Sequence, residues 1–184
     1  MFDEGSPKGD HYYWSRSTFV NGISENTVGE IVEMVGDRKS FPHLPNNYSI
    51  EFMQLGGQIC KKDPKETAFF HRSAKFEAHA ICRLQKGMEK YWNEKGDLAW
   101  LRSVNDLLEN DSIHPGGGYI NIMNDIVESD KDVEKKRAQK IKQTYSENYE
   151  RLLLVKEKYD PNNFFSHNHN IQPSKPKKFK KISY

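Results

Sequence analysis

The feature that most constrains the fold of this sequence is a stretch in which apolar and polar residues alternate. Apolar residues occupy every second position between residues 76 and 84, namely Phe76, Ala78, Ala80, Cys82 and Leu84. Side chains of a β-strand point in turn to the two faces of a sheet, so this spacing predicts a half-buried strand. The chain therefore needs other elements that cover one face of a sheet.

Three further stretches are typical of strands. Residues 11–20 are rich in Tyr, Trp, Ser, Thr and Phe. A second strand is predicted from Tyr48 into Gly56-Gly57, resuming over residues 58–60, because a glycine pair inside a strand indicates a bulge or a close backbone approach. The glycine-rich turn over residues 114–118 is predicted to deliver a short strand over residues 119–123.

Four stretches predict helices from apolar residues at three- and four-residue spacing. Ser24 is a candidate N-cap for a helix over residues 25–36, whose apolar face is Val28, Ile31, Val32 and Val35. The others cover residues 96–110, a charged surface stretch over residues 129–145, and a last helix that Ser146 caps and Asp160-Pro161 ends. Without a regular βαβ pattern, the expected class is α+β with an antiparallel sheet covered by helices.

Composition narrows the class of protein. The 184 residues suffice for one ordinary domain, and 28 Lys+Arg against 26 Asp+Glu leave a net charge of +2. So small an excess argues against an obligate nucleic-acid binder. Mean hydropathy is −0.89, but aromatic residues reach 12%, so a lean core is built from large side chains.

Cysteines and termini add a few expectations. Cys60 and Cys82 are too few for a disulfide framework or a zinc site, and reduced, buried thiols are favoured over a single bridge. No apolar stretch approaches the ~20 residues of a membrane span, and no signal peptide is visible, so the chain as it stands is expected to be cytoplasmic. Residues 1–10 are expected to form a flexible lead-in, and residues 174–184 a disordered, solvated Lys-rich tail.

Residues 147–165 carry a pattern of their own. The helix is predicted to end at Asp160-Pro161, an Asn pair to turn the chain, and Phe164 and Phe165 to dock on the core. This stretch also resembles the C-terminal segment of the berberine-bridge-enzyme-like FAD-linked oxidases, N-x-x-R-L-x-x-V-K-x-K-Y-D-P-x-N-x-F. That segment ends in Ile and Pro, which Ile171 and Pro173 supply here.

Three more stretches are similar to motifs of that family, in the same order. Residues 56–59 resemble its G-G-x-I strand, and residues 67–72 resemble its T-A-F-x-H-R motif with Phe70 in place of a usual Pro. Residues 118–122 resemble its Y-x-N-Y element, with Ile122 in place of the second Tyr. The resemblance covers residues 11–173, which it identifies as a substrate-binding-like domain whose berberine-like segment occupies about residues 118–173.

The resemblance implies a FAD-dependent oxidoreductase acting on a small alcohol, sugar or alkaloid-like substrate. The family's FAD-binding domain carries a G-G-H motif that this sequence lacks, so a separate FAD-binding domain or chain is the implied partner. The alternative is a non-catalytic remnant or binding module. In either case a bare domain interface is expected to favour self-association.

The resemblance also implies where the flavin is contacted. Asn121 is the expected hydrogen-bonding partner of the flavin and Tyr119 its neighbour; the alternative is an Asn that satisfies backbone groups in a turn and a Tyr packed in the sheet. The family's second Tyr often deprotonates the substrate, but Ile122 has no titratable group. The catalytic base therefore stays unknown, with His71 and Glu77 as titratable candidates that their spacing does not favour.

Two histidine-containing motifs have competing interpretations. His71-Arg72 is either a cationic pair facing a cofactor or substrate, or a structural tie between a loop and the sheet. In an extended segment, His167 and His169 would share one face and could invite a metal ion. No Cys or carboxylate is positioned alongside them in the sequence, so no metal site is predicted.

Overall fold

The computed structural model describes residues 11–36, 48–85, 87, 97–111, 116–123, 133–166 and 169–174. The predicted lead-in over residues 1–10 lies outside these ranges, as do His167 and all of the predicted tail after Ser174. Within the described residues, no helix is long and apolar enough to cross a membrane.

The described strands form a three-stranded antiparallel sheet in the order β1-β3-β2. These strands are β1 (His11–Val20), β2 (Tyr48–Gln54) and β3 (Phe76–Gln85). The alternating stretch is thus the central strand, and the predicted α+β class is confirmed. In the register of β1 and β3, Ser17 lies opposite His79 and Phe19 lies opposite Glu77.

In the part of the chain that the structure describes, five helices accompany the sheet. They are α1 (Glu25–Gly36), α2 (Gln58–Lys61), α3 (Asp97–Asn110), α4 (Val133–Tyr145) and α5 (Tyr149–Tyr159), with a 3-10 turn at Ser146–Asn148 between the last two. The predicted end of the last helix at Asp160-Pro161 is confirmed.

One face of the sheet, here called the core face, is closed by apolar packing. Its side chains include Val20, Ala78 and Ala80, and α3 lies across it. The α3 residues in this core are Leu98, Trp100, Leu101, Val104 and Leu108. The stripe predicted for this helix was Leu98, Leu101, Val104, Leu107 and Leu108. Four of these five residues are confirmed in the core, Leu107 is only partly buried, and Trp100 is added.

The opposite face, here called the polar face, presents Ser15, Ser17 and Phe19 of β1 and Glu77, His79 and Ile81 of β3. All six are buried. The prediction of a strand with one solvated face was wrong, because chain segments that follow α3 lie over this side of the sheet. The alternation shows which side chains share a face of the sheet, but it does not show whether the polar face is exposed to solvent.

Helix α1 begins where predicted, since Ser24 Oγ accepts the Thr27 N–H at 3.2 Å. Its valine face does not pack as predicted: Val28, Val32 and Val35 are 46%, 65% and 50% exposed. Of the predicted face, Ile31 does pack against the core, and Met34 packs there with it. Helix α1 packs against α3, and the side of α1 that faces inward carries Ile31 and Met34 and not the three valines.

Three local predictions were wrong. Residues 58–60 lie in helix α2 and not in a strand, and the chain turns before them at Gly57, whose φ is 58°. Residues 119–123 form a turn, in which Tyr119 O accepts the N–H groups of Ile122 and Met123 at 3.1 Å each. Ser146 has a φ of 47° and opens the 3-10 turn without capping α5 through its side chain.

Two further predictions concern burial. Phe164 and Phe165 are 72% and 74% exposed, so they do not dock on the core. Cys82 is buried as predicted, whereas Cys60 is exposed, and both thiols are free. Burial raises the pKa of the Cys82 thiol to about 12.

Candidate functional site

Residues 116–123, here called the anchored segment, lie on the polar face of the sheet. The Tyr119 N–H donates to Ser17 Oγ at 2.7 Å, and Ser15 Oγ donates to Ile122 O at 2.6 Å. The two serines are two positions apart on β1, so both hydroxyls point to the same face. They hold the backbone of the anchored segment at both ends of its turn.

The glycines at the start of the anchored segment allow this close approach. A Cβ atom on Gly117, whose φ is 75°, would lie 2.4 Å from His71 Nε2. A Cβ atom on Gly118 would lie 2.5 Å from the backbone oxygen of Ser17. Any larger residue at these two positions would lift the segment from the sheet.

Tyr119 and Asn121 point outward although their backbone is fixed. Tyr119 is 39% exposed and Asn121 is also exposed, and Asn121 Nδ2 donates to the Tyr119 hydroxyl oxygen at 2.8 Å. This bond leaves the phenol with a proton to donate and the amide with an oxygen to accept. The structure therefore brings the two predicted cofactor residues together as a pair of exposed hydrogen-bonding groups.

Glu77 and His79 form a buried pair beside the anchored segment. His79 Nε2 lies 2.5 Å from Glu77 Oε1, and each residue is 4% exposed. His79 pairs in register with Ser17, the residue that holds Tyr119. A carboxylate that accepts from an imidazole N–H orients the ring and fixes which nitrogen carries the proton.

Sequence reasoning named Glu77 but missed His79. The sequence contained a signal for this pair, because an acid and a histidine two positions apart on one strand project to the same face. The alternation predicted that this face is exposed to solvent, and a solvent-exposed pair of this kind does not indicate a functional site.

His71 and Arg72 make contacts that match the structural interpretation. His71 is 5% exposed, and its Nε2 lies 3.0 Å from Thr144 O and 3.2 Å from Gln143 O. Arg72 donates to Ile59 O at 3.0 Å and to Thr67 Oγ1 at 2.5 Å. These side chains tie the loop before β3 to α2 and to the end of α4.

The N-x-x-R motif continues this system of ties. Asn148 is 4% exposed, and its Nδ2 donates to Pro64 O at 2.7 Å and to Thr67 O at 3.0 Å. Arg151 donates to Lys65 O at 2.8 Å. The motif residues therefore attach α5 and the preceding 3-10 turn to the loop that leads to His71.

The D-P-x-N-x-F motif forms a turn around one carboxylate. Asp160 accepts the N–H groups of Phe164 and Phe165 at 2.7 and 3.0 Å, and Lys156 Nζ donates to it at 2.5 Å. Lys156 also donates to Phe165 O at 2.6 Å, and Asn163 takes the left-handed conformation that the turn requires, with φ of 54°. The hydrogen bond from Lys156 holds the pKa of Asp160 below its usual range.

Among the described residues, no group of three or more His, Cys, Asp or Glu side chains could hold a metal ion. His169 has a different role in the structure: its Nε2 contacts Met123 O at the end of the anchored segment.

Comparisons with known proteins agree with the motifs. Residues 118–172 match the family model described as berberine and berberine like. Over 173 residues the chain is 30% identical to berberine bridge enzyme-like 22 of Arabidopsis thaliana, covering 89% of this chain and 30% of that protein. Over 160 residues it is 29% identical to the uncharacterized FAD-linked oxidoreductase YgaK of Bacillus subtilis (strain 168), covering 86% of this chain and 30% of that protein.

Solved structures share the fold. Berberine bridge enzyme from Eschscholzia californica matches with a TM-score of 0.68 at 24% identity, over 94% of this chain and 34% of that chain. A glycopeptide hexose oxidase complexed with teicoplanin also gives a TM-score of 0.68, at 20% identity, over 88% of this chain and 32% of that chain. The chain spans about a third of the length of the curated relatives that it matches. Together with the motifs, these similarities show that residues 118–172 carry the berberine-like segment, and that the fold is one shared with berberine-bridge-enzyme-like oxidases.

Proposed function

We propose that residues 11–173 form the substrate-side wall of a FAD-dependent oxidoreductase. One observation carries this proposal: the backbone of the anchored segment is bonded to the polar face, while Tyr119 and Asn121 are left exposed. Polar side chains on a fixed backbone are suited to contact a rigid planar ligand at a defined distance. A companion FAD-binding domain or chain would supply the rest of the site.

The donor set fits the edge of an isoalloxazine ring. Such an edge presents carbonyl acceptors and an N–H donor. After Tyr119 and Asn121 bond to each other, they retain the phenol O–H and the second amide N–H as donors and the amide oxygen as an acceptor. Bound FAD would accept the hydride from the substrate. In this arrangement Asn121 and Tyr119 bind and orient the ring edge.

Oxidation of an alcohol also needs a group that accepts the hydroxyl proton. Ile122 cannot do so, but the Glu77–His79 pair lies on the same face. When His79 Nε2–H donates to Glu77, its Nδ1 is the nitrogen that can take up a proton. In this proposal the pair takes the place of the missing Tyr as the proton-accepting group. The proposed substrate class is a small molecule with an oxidisable hydroxyl or amine.

A second candidate function, ligand binding without redox chemistry, is favoured by Ile122, which replaces the family's second Tyr. If the proton acceptor of the family has been lost without replacement, the chain binds a ligand on the polar face and does no redox chemistry. In that case the anchored segment serves as a binding module.

Titration of FAD into the purified chain tests the proposal. We expect a shift of the visible flavin bands, which Asn121→Ala weakens and Asn26→Ala leaves unchanged, because Asn26 lies exposed on α1 and bonds only Glu30 among the contacts described. If the wild-type chain leaves the FAD spectrum unchanged, or if both variants weaken the shift equally, a flavin contact made by this chain alone would be contradicted.

A further inference from the structure

We propose that His71 is a positioning residue for the anchored segment, and that its imidazole sets how closely Tyr119 and Asn121 approach the sheet. The inference rests on the proposed function, since it concerns the residues that would face the flavin. It assigns a local task to a histidine that lies outside the flavin-contacting pair.

The imidazole of His71 is fixed from two sides. Its ring stacks on Phe19 with a centroid distance of 4.8 Å and an interplanar angle of 20°. Its Nε2 faces the last carbonyls of α4, which have no partner within the helix, and lies nearest to Thr144 O at 3.0 Å. A carbonyl can only accept, so Nε2 carries the proton and the ring orientation is defined.

The same ring edge is the surface on which the glycine-rich turn rests. A Cβ atom on Gly117 would lie 2.4 Å from Nε2 and 2.8 Å from Cε1, so the backbone touches the imidazole directly. Two residues later the Tyr119 N–H reaches Ser17 Oγ. A change in the position of the ring is therefore passed through two peptide units to Tyr119.

This arrangement explains why His71 is not interchangeable with an apolar residue. A phenylalanine keeps the stacking on Phe19 but has no donor for Thr144 O, which would then be buried without this partner. A glutamine keeps an N–H donor at about the reach of Nε2. The two variants thus separate the hydrogen bond from the space-filling role.

Hydrogen exchange at the Tyr119 amide in the unliganded chain is the test. We expect His71→Phe to raise this exchange about tenfold, while β3 amides stay protected and His71→Gln restores most of the protection. Asn148→Ala is the matched control, since it removes another buried tie to the same loop without touching the anchored segment. If His71→Phe does not fold, Gly117→Ala displaces the same contact from the other side and is expected to raise the same amide exchange.

Two outcomes would overturn the inference. One is unchanged Tyr119 exchange in His71→Phe or in Gly117→Ala; the other is an equal rise in Asn148→Ala. FAD titration of the same proteins keeps the two proposals apart. Exchange that depends on His71 in a chain that leaves the FAD spectrum unchanged would support the positioning role and reject the flavin contact.

Discussion

The two faces of the sheet are closed by different interactions. The core face is covered by α3 through apolar side chains such as Leu101 and Val104, which are 0% exposed. The polar face is covered by segments that hydrogen bonds hold, from Ser15 and Ser17 to the anchored segment and from His71 to α4. Apolar burial is non-directional, whereas hydrogen bonds fix distances, so the second face is the one suited to a binding site.

The same difference distinguishes two parts of the chain, the first being the sheet with α1 and α3 and the second the berberine-like residues. The sheet with α1 and α3 has an apolar core of its own. The berberine-like residues are attached through polar side chains, Asn148 and Arg151 among them, and bury the apolar side chains of Met123 and Ile141 outside that core. We therefore expect the second part to open locally while the first part stays folded.

The largest expected effect is on the core face. Leu101→Ala removes a fully buried side chain and should lower the free energy of unfolding by about 2–5 kcal/mol. Leu154→Ala is the matched control, because Leu154 is 65% exposed and should change it by less than about 0.5 kcal/mol. Urea unfolding followed by tryptophan fluorescence measures both, and equal losses would refute the assignment of the core.

A smaller effect is expected on the polar face. Gly118→Ala places a Cβ atom 2.5 Å from Ser17 O and should cost about 1–3 kcal/mol, seen first at the anchored segment. Gly29→Ala makes the same change in α1, where nothing lies within 4 Å, and should stabilise the chain by about 0.5–1 kcal/mol. Hydrogen exchange locates the two effects, and a neutral Gly118→Ala would show that the segment is not held close to β1.

The turn around Asp160 should open only at a pH below the ordinary pKa of an aspartate. Because the folded-state pKa is lowered, the contribution of Asp160 is complete above the ordinary value of about 3.9 and is lost as pH falls through the lower folded value. The Phe164 and Phe165 amides should thus stay protected in mild acid and exchange only in stronger acid. Asp160→Asn should remove this pH dependence; opening of the turn well above the ordinary value would contradict it.

The least perturbing comparison uses the two thiols. Cys82 lies on the core face with its pKa raised to about 12, so a thiol reagent should modify Cys60 in the native protein and reach Cys82 only on unfolding. Equal modification rates for the two would show that Cys82 is as accessible as the exposed Cys60, and therefore that the core face is not closed.

Sequence reasoning succeeded where apolar spacing decides the structure. It predicted β3 and the stripe of α3, since large side chains at fixed periods have one face to bury. The resemblance to the family also located the berberine-like segment in the sequence. It failed where single polar contacts decide: residues 119–123 are a turn because Ser15 and Ser17 capture their backbone, and nothing local in the sequence encodes that pairing.

The candidate site divides in the same way. Tyr119 and Asn121 were found through the resemblance, and the structure shows them bonded to each other and exposed. His79 was missed because the alternation assigned its face of β3 to solvent, whereas the structure buries both Glu77 and His79. The outward Phe164 and Phe165 follow from the hydrogen bonds to Asp160, which override the apolar character of the side chains.

Native-state hydrogen exchange in low urea shows whether polar contacts hold the anchored segment on a separately stable sheet. We expect the Tyr119 amide to exchange through a local opening with little urea dependence, while amides of β3 exchange only through global unfolding. If both sets of amides gave the same free energy and the same urea dependence, the two faces would form one cooperative unit, and the anchored segment would not be held separately.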